Sequence, residues 1–189
     1  MNLTHILISG MSDCWGGVEK HILSYLETMD RTGLRFHFLC PFDTLAGADK
    51  LEEMGCVIHR VAKRSKNPLR HYSQVFRVFR ENPEIRILHC HMGAADYLFP
   101  LMLARLFGYR KVICHSHGSR NEGGLAVLHH LGKPLLHLLA KQKLACSSLA
   151  ATWLFYKNSH VQLIANAIEI RRFEYDEEVR RHLRDGLGL

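Results

Sequence analysis

The chain has 189 residues, 47% of them apolar and 23% charged, with a formal net charge of +7. That length buries a full core as one domain or one and a small fraction, and that balance excludes a disordered chain. No apolar run approaches the roughly 20 residues of a membrane span, and the N-terminus enters an apolar strand pattern almost at once, so no signal peptide is expected.

The first strand pattern is Thr4–Ser9, followed by a Gly-containing loop and a helical pattern over Val18–Thr32 carried by Ile22, Leu23, Leu26 and Met29. A strand, a glycine loop and a helix N-terminus together make an anion site, because the first amides of a helix have no internal partner and the dipole is positive there. Gly16 and Gly17 lack a Cβ, so a phosphate can approach the backbone closely. The same glycines suit any doubly wound fold at this turn, so the loop alone leaves both readings open. Strand patterns at Arg35–Cys40 and Val57–Val61 then flank a helical pattern at Leu45–Met54. The rhythm continues with helix Leu69–Arg80, strand Ile85–Cys90, helix Ala94–Phe107 and strand Lys111–Ser116. Helix Leu125–Ala140, strand Lys143–Cys146, helix Ser148–Tyr156 and strand Val161–Ile164 complete it. The strands are short and apolar with little alternation, as expected where helices cover both faces. Thr32-Gly33, Met54-Gly55, Asn82-Pro83 and Phe107-Gly108 close helices. Strict alternation of strand and helix predicts a Rossmann-like α/β fold, a three-layer sandwich with a mostly parallel sheet.

In such a sheet the ligand crevice lies beyond the carboxyl ends of the strands. The polar chemistry gathers on that rim: the Gly16-Gly17 loop, His89-Cys90-His91 through Asp96, His115-Ser116-His117 through Glu122, Ser147-Ser148 and Asn166. In a strand, residues i and i+2 share a face, so each His-x-His pair presents two imidazoles. Catalytic zinc usually also draws on carboxylate or cysteine, and no HExxH motif is present, so no metal is expected; general-base or hydrogen-bonding roles suit these rings better. The six cysteines show no CxxC spacing, which predicts reduced thiols and a cytoplasmic protein.

Residues 59–90 hold eight Lys or Arg against Glu81 and Glu84. Leu69, Tyr72, Val75, Phe76 and Phe79 make a helical stripe beside these charges. The stripe suits a helix covering the sheet. It is compatible with Lys63, Arg64, Lys66 and Arg70 facing anionic lipid headgroups or a lipid-diphosphate acceptor. The segment has no RNP-like aromatics, zinc finger or recognition-helix signature, so nucleic acid is not expected as a partner. The first loop lacks GxGxxG and Cys40-Pro41 stands where an NAD site wants an acid, while no GK[ST] supports a P-loop.

Several of these motifs resemble those of the family 4 glycosyltransferases, retaining sugar-nucleotide-dependent enzymes of the GT-B fold. Gly16-Gly17-Val18-Glu19-Lys20-His21 is similar to that family's GGVE loop, and His89-Cys90-His91 and His115-Ser116-His117 to its histidine-bearing loops. Ala145-Cys146-Ser147-Ser148-Leu149-Ala150, Trp153-Leu154-Phe155 and Leu163-Ile164-Ala165-Asn166-Ala167-Ile168 follow in the family's order, with Ala167 where it usually has glycine. Tyr175, Arg180, Arg181 and Leu187-Gly188-Leu189 resemble the segment leading into a second domain.

The resemblance implies one half of a GT-B fold: an N-terminal domain over residues 1–172, then a helical segment, 173–189, leading to a C-terminal donor-binding domain absent from this sequence. It implies transfer of a sugar, of the hexosyltransferase type, from a nucleotide-sugar to a glycan or lipid-linked acceptor in cell-surface polysaccharide biosynthesis. The expected setting is cytoplasmic, peripheral on the inner face of the membrane. The domain alone is expected to be inactive. Gly16 and Gly17 would face the donor diphosphate, with no bound metal or other cofactor, and His117 would be the catalytic residue near the transferred sugar. His91, Asp96, Arg120, Asn121 and Glu122 are candidate acceptor contacts. The competing reading is a non-catalytic Rossmann-like binding or regulatory domain for phosphorylated or anionic ligands.

Overall fold

A computed structural model describes residues 3–120, 126–167 and 173–189. In chain order its elements are β1 (Thr4–Ser9), α1 (Gly17–Thr28), β2 (Leu34–Cys40), α2 (Ala48–Glu53), β3 (Val57–Arg60), α3 (Pro68–Glu81) and β4 (Ile85–Met92). There follow α4 (Phe99–Leu106), β5 (Lys111–Ser116), α5 (Ala126–Leu139), β6 (Gln142–Ala145), α6 (Ser148–Leu154), β7 (Gln162–Leu163) and α7 (Glu177–Leu187). The strands form one sheet in the order β3-β2-β1-β4-β5-β6-β7. Each neighbouring pair runs parallel, so the sheet is wholly parallel among the described residues. The chain winds outward from β1 to β3, then returns to place β4 on the other side of β1. That reversal opens a crevice above the carboxyl ends of β1 and β4, where ligands of doubly wound sheets bind.

Alternation along the strands builds two cores. Leu7, Leu88, Cys90, Val112 and Cys114 point to one face and pack with Val75 and Phe79 of α3 and Leu101 and Ala104 of α4. Ile8, Phe36, Phe38 and Cys40 point to the other and pack with Ile22, Leu23 and Leu26 of α1 and Leu51 of α2. The six cysteines are free, and Cys40, Cys90 and Cys114 are buried in these layers as small hydrophobes.

The helix starts show how local chemistry fixes the elements. Asn67 caps α3, accepting from the Arg70 amide at 3.0 Å, and Pro68 occupies the first turn, where its missing N–H is harmless. Ser147 caps α6 and Asp176 caps α7 in the same way. The start of α1 differs: Gly16 is its N-cap and no side chain accepts from its first amides. No helix of the described residues is long and apolar enough to cross a membrane.

The sheet departs from the expected pattern at its edge. The seventh strand is only two residues long, and both are exposed. The stripe expected on α3 is divided: Val75 and Phe79 are buried, whereas Leu69, Tyr72 and Phe76 are exposed, with Tyr72 against the Phe99 ring and Phe76 against the Phe107 ring.

Candidate functional site

The loop after β1 brings the chain to the crevice. Glu19, in the first turn of α1, is buried and reaches back to accept from the Ser12 amide at 2.8 Å and the Ser12 hydroxyl at 2.9 Å. A Cβ on Gly16 would stand 2.9 Å from the other Glu19 carboxylate oxygen, whereas one on Gly17 would meet nothing within 4 Å. Gly16 therefore makes room for the loop's own tie. Exposed Gly17 is the position that leaves the α1 amides open to a ligand.

Beneath this helix start lies a nest of five imidazoles. Ile8 and His89 are register partners on β1 and β4, so His89 and His91 share the α1-facing side of the sheet with Ile8. His115 lies opposite His91 on β5, and His117 follows two residues later. The fifth ring is His21 of α1, which stands 5.0 Å centroid to centroid from both His115 and His117, edge-on to each. His91 Nδ1 and His117 Nε2 share a hydrogen bond of 2.8 Å, and the side chain of Asn166, beyond β7, hydrogen-bonds His21. Burial, with repulsion from neighbouring imidazoles, pushes His115 down to about 2 and His89 and His117 down to about 4. His91 is also held well below the ordinary imidazole value, by burial first. These rings are neutral near pH 7. Among the described residues, His21 Nδ1, His89 Nε2, both nitrogens of His115 and His117 Nδ1 are buried without a hydrogen-bond partner. A cleft of about 140 Å³ opens beside them, walled by Ile8, Ile22, Leu26, Phe36 and Ile164.

The other expected site residues separate. His91 is 5% exposed and bonded to His117, so its place is to hold that ring. Asp96 is half-buried and Arg120 exposed on the same rim. Asn121 and Glu122 lie outside the described residues. Of the basic group, Lys63 sits over the Phe42 ring and Arg64 over the Tyr97 ring, 4.5 Å from its centroid. Lys66 and Arg70 are exposed and share a hollow with Lys63, Asp13 and Asp43.

The Glycosyltransferase Family 4 model matches residues 15–172, which span the glycine loop, both histidine pairs and every strand after β1. The chain belongs to glycosyltransferase family 4. Solved glycosyltransferase structures agree with the fold of this family 4 domain. HepE of Anabaena, solved with UDP and glucose, superposes with a TM-score of 0.69 at 16% identity, over 98% of this chain and 50% of its own. A glycosyltransferase of Rickettsia africae gives 0.72 at 16% identity, over 100% of this chain and 50% of its own. The lipopolysaccharide outer core galactosyltransferase WaaB gives 0.61 at 14% identity, over 89% and 47%. The family 4 domain thus spans about half the length of these relatives. No curated protein sequence matches it.

Two members of the site escaped the sequence reading. His21 was legible as a polar ring on the apolar stripe of α1, in register with Val18, Ile22 and Tyr25. Gly10 has φ +110, and a Cβ there would stand 2.0 Å from the His91 carbonyl oxygen. Only the tertiary structure shows that approach.

Proposed function

We propose that the chain is the acceptor-side half of a retaining glycosyltransferase that moves a hexose from a nucleotide-sugar to a glycan or lipid-linked acceptor in cell-surface polysaccharide biosynthesis. The observation that carries this reading is the meeting of an uncapped glycine helix start and the partly buried, neutral His117 above the β1–β4 crevice. The UDP and glucose bound by HepE and the galactosyl transfer named for WaaB support a nucleotide-sugar donor and a surface-glycan product.

In this reading the donor diphosphate lies against the first amides of α1 at Gly17, where backbone dipoles serve the developing charge without a metal ion. Neutral His117 is steadied through Nε2 by His91 and keeps Nδ1 buried and unpartnered, and donor binding turns that nitrogen out to a hydroxyl of the transferred sugar. The leaving phosphate takes the acceptor proton on the same face of the sugar, and the protein contributes orientation and electrostatic stabilisation. Asp96 and Arg120 line the acceptor side. A second domain completes the donor site, and the exposed stripe Val179, Leu183 and Leu187 of α7 supports a packing partner beyond this domain. The half alone is inactive.

Gly17→Ala in the whole enzyme tests the diphosphate placement. The new methyl has open space, so stability holds or rises by up to about 1 kcal/mol. It also stands between the amides and the phosphate, so donor affinity, measured by calorimetry, should weaken tenfold or more. Unchanged affinity would refute the placement.

The exposed Leu69, Tyr72 and Phe76 beside Lys63, Arg64, Lys66 and Arg70 support docking of this rim on the anionic inner face of a membrane, in the cytoplasm. Exchanging Lys63, Lys66 and Arg70 for glutamine removes about 1 kcal/mol per charge. Binding to phosphatidylglycerol-containing vesicles should fall roughly 100-fold. Equal binding of the unaltered chain to neutral vesicles at every salt concentration would sink the electrostatic attraction.

A further inference from the structure

We infer that His21, His115 and His117 bind a single divalent ion of the zinc class between α1 and the end of β5. Each offers a ring nitrogen within 4.8 Å of the others. His21 Nδ1, both nitrogens of His115 and His117 Nδ1 are buried without a partner among the described residues. His115 is the strongest sign of a ligand, because it is 1% exposed and leaves both nitrogens unanswered in an apolar setting. A buried polar group without a partner is unfavourable, and a coordinated ion removes that penalty.

The unpartnered nitrogens favour this trio over the neighbouring one. His21 meets His115 at 83° and His117 at 67° between ring planes, so a helix ring stands edge-on to two strand rings whose nitrogens lie within 4.8 Å of its own. In the alternative group of His89, His91 and His115, the His91 Nδ1 is already taken by His117. The chosen rings also have their outer partners in place. His117 is held through Nε2 by His91, and His21 by the Asn166 side chain. Metal-bound histidines are ordinarily steered by such a bond on the second nitrogen. Tetrahedral Zn–N bonds of about 2.0–2.1 Å set ligand nitrogens about 3.3 Å apart, which small ring rotations reach. Three imidazoles without a carboxylate select zinc, cobalt, nickel or copper over magnesium or calcium.

The ion and a sugar hydroxyl would compete for the same Nδ1 of His117. Occupancy would therefore inhibit transfer; this consequence rests on the proposed function, whereas binding itself does not.

The test titrates the metal-free full chain with Zn2+ by calorimetry and with Co2+ by visible absorption, with no sugar present. One saturable site is expected, with a four-coordinate Co2+ spectrum and no response to Mg2+. At a hundredfold excess over Kd the melting temperature should rise by roughly 5–10 °C. His115→Gln should abolish the site, and His21→Gln and His117→Gln should each weaken it at least tenfold. Circular dichroism reports whether each variant folds, and the His21 and His117 variants decide the matter should His115→Gln fail to fold. Exposed His130→Gln and His160→Gln should change nothing. His5, His37 and Glu84 also place ligand atoms within 4.8 Å of one another. A site lost in His5→Gln but kept in His21→Gln, or no saturable site at all, would overturn the inference. Tight binding with unaltered transfer would keep the metal site and count against the placement of His117 at the sugar.

Discussion

Gly10→Ala should destabilise the domain by roughly 2–6 kcal/mol, a large share of the 5–15 kcal/mol that holds most domains together. Two effects add. The backbone at Gly10 has φ +110, a conformation that an L side chain adopts only under strain of about 1–3 kcal/mol. The new methyl would also sit 2.0 Å from the carbonyl oxygen of His91, and that oxygen belongs to β4 and has no side-chain freedom with which to retreat. Relief requires the ends of β1 and β4 to part, at a further cost of about 1–3 kcal/mol. Those ends form the crevice, so the surviving folded fraction should also lose order around His91 and His117. Urea unfolding measures the first effect and imidazole NMR shifts the second. A loss below about 1 kcal/mol would refute the close approach.

The framework of the fold was legible because it rests on short-range pattern. Thr4–Ser9 and Lys111–Ser116 have the bounds that their apolar runs announce, and the alternation of strand and helix carries the parallel order. Boundaries set by tertiary or side-chain bonds were not legible. Helix α1 stops at Thr28 instead of Thr32, where Met29 turns extended and Asp30 takes the Thr32 amide at 2.9 Å. Helix α2 starts at Ala48 instead of Leu45 because Gly47 is left-handed, with φ +75. The start expected for α4 at Ala94 falls at Phe99. Residues ahead of it bond elsewhere: the Ala95 amide donates to buried His129 and the Gly93 carbonyl accepts from the Trp153 indole at 2.7 Å.

The site was legible in halves. Each His-x-His pair could be placed on one face of its strand from spacing alone. That two strands and a helix bring five such rings together depends on β4 and β5 being neighbours, and on His21 occupying the sheet-facing stripe of α1. The same topology changes the meaning of His91. A rim residue in the sequence becomes a buried partner of His117, because its strand runs to Met92 and its side chain points beneath α1.

Under the proposed function, His117→Ala in the whole enzyme should lower kcat/KM for sugar transfer by roughly 10²-fold or more, the range for a positioned imidazole that hydrogen-bonds or moves a proton in the transition state. The structural part of that loss can be separated. Removing the ring leaves His91 Nδ1 buried without its 2.8 Å partner, which costs about 1–3 kcal/mol of stability and shows in the melting temperature. A loss of transition-state contact lowers kcat, while donor affinity, which the proposed function assigns chiefly to the amides of α1 and a second domain, changes much less. His117→Asn supplies a neutral polar group and should recover part of the rate. His91→Ala removes only the ring that steadies His117, so its loss should be smaller and fall on kcat as well. Near-normal transfer by His117→Ala would remove the residue from the chemistry, leaving His117 only its structural bond to His91.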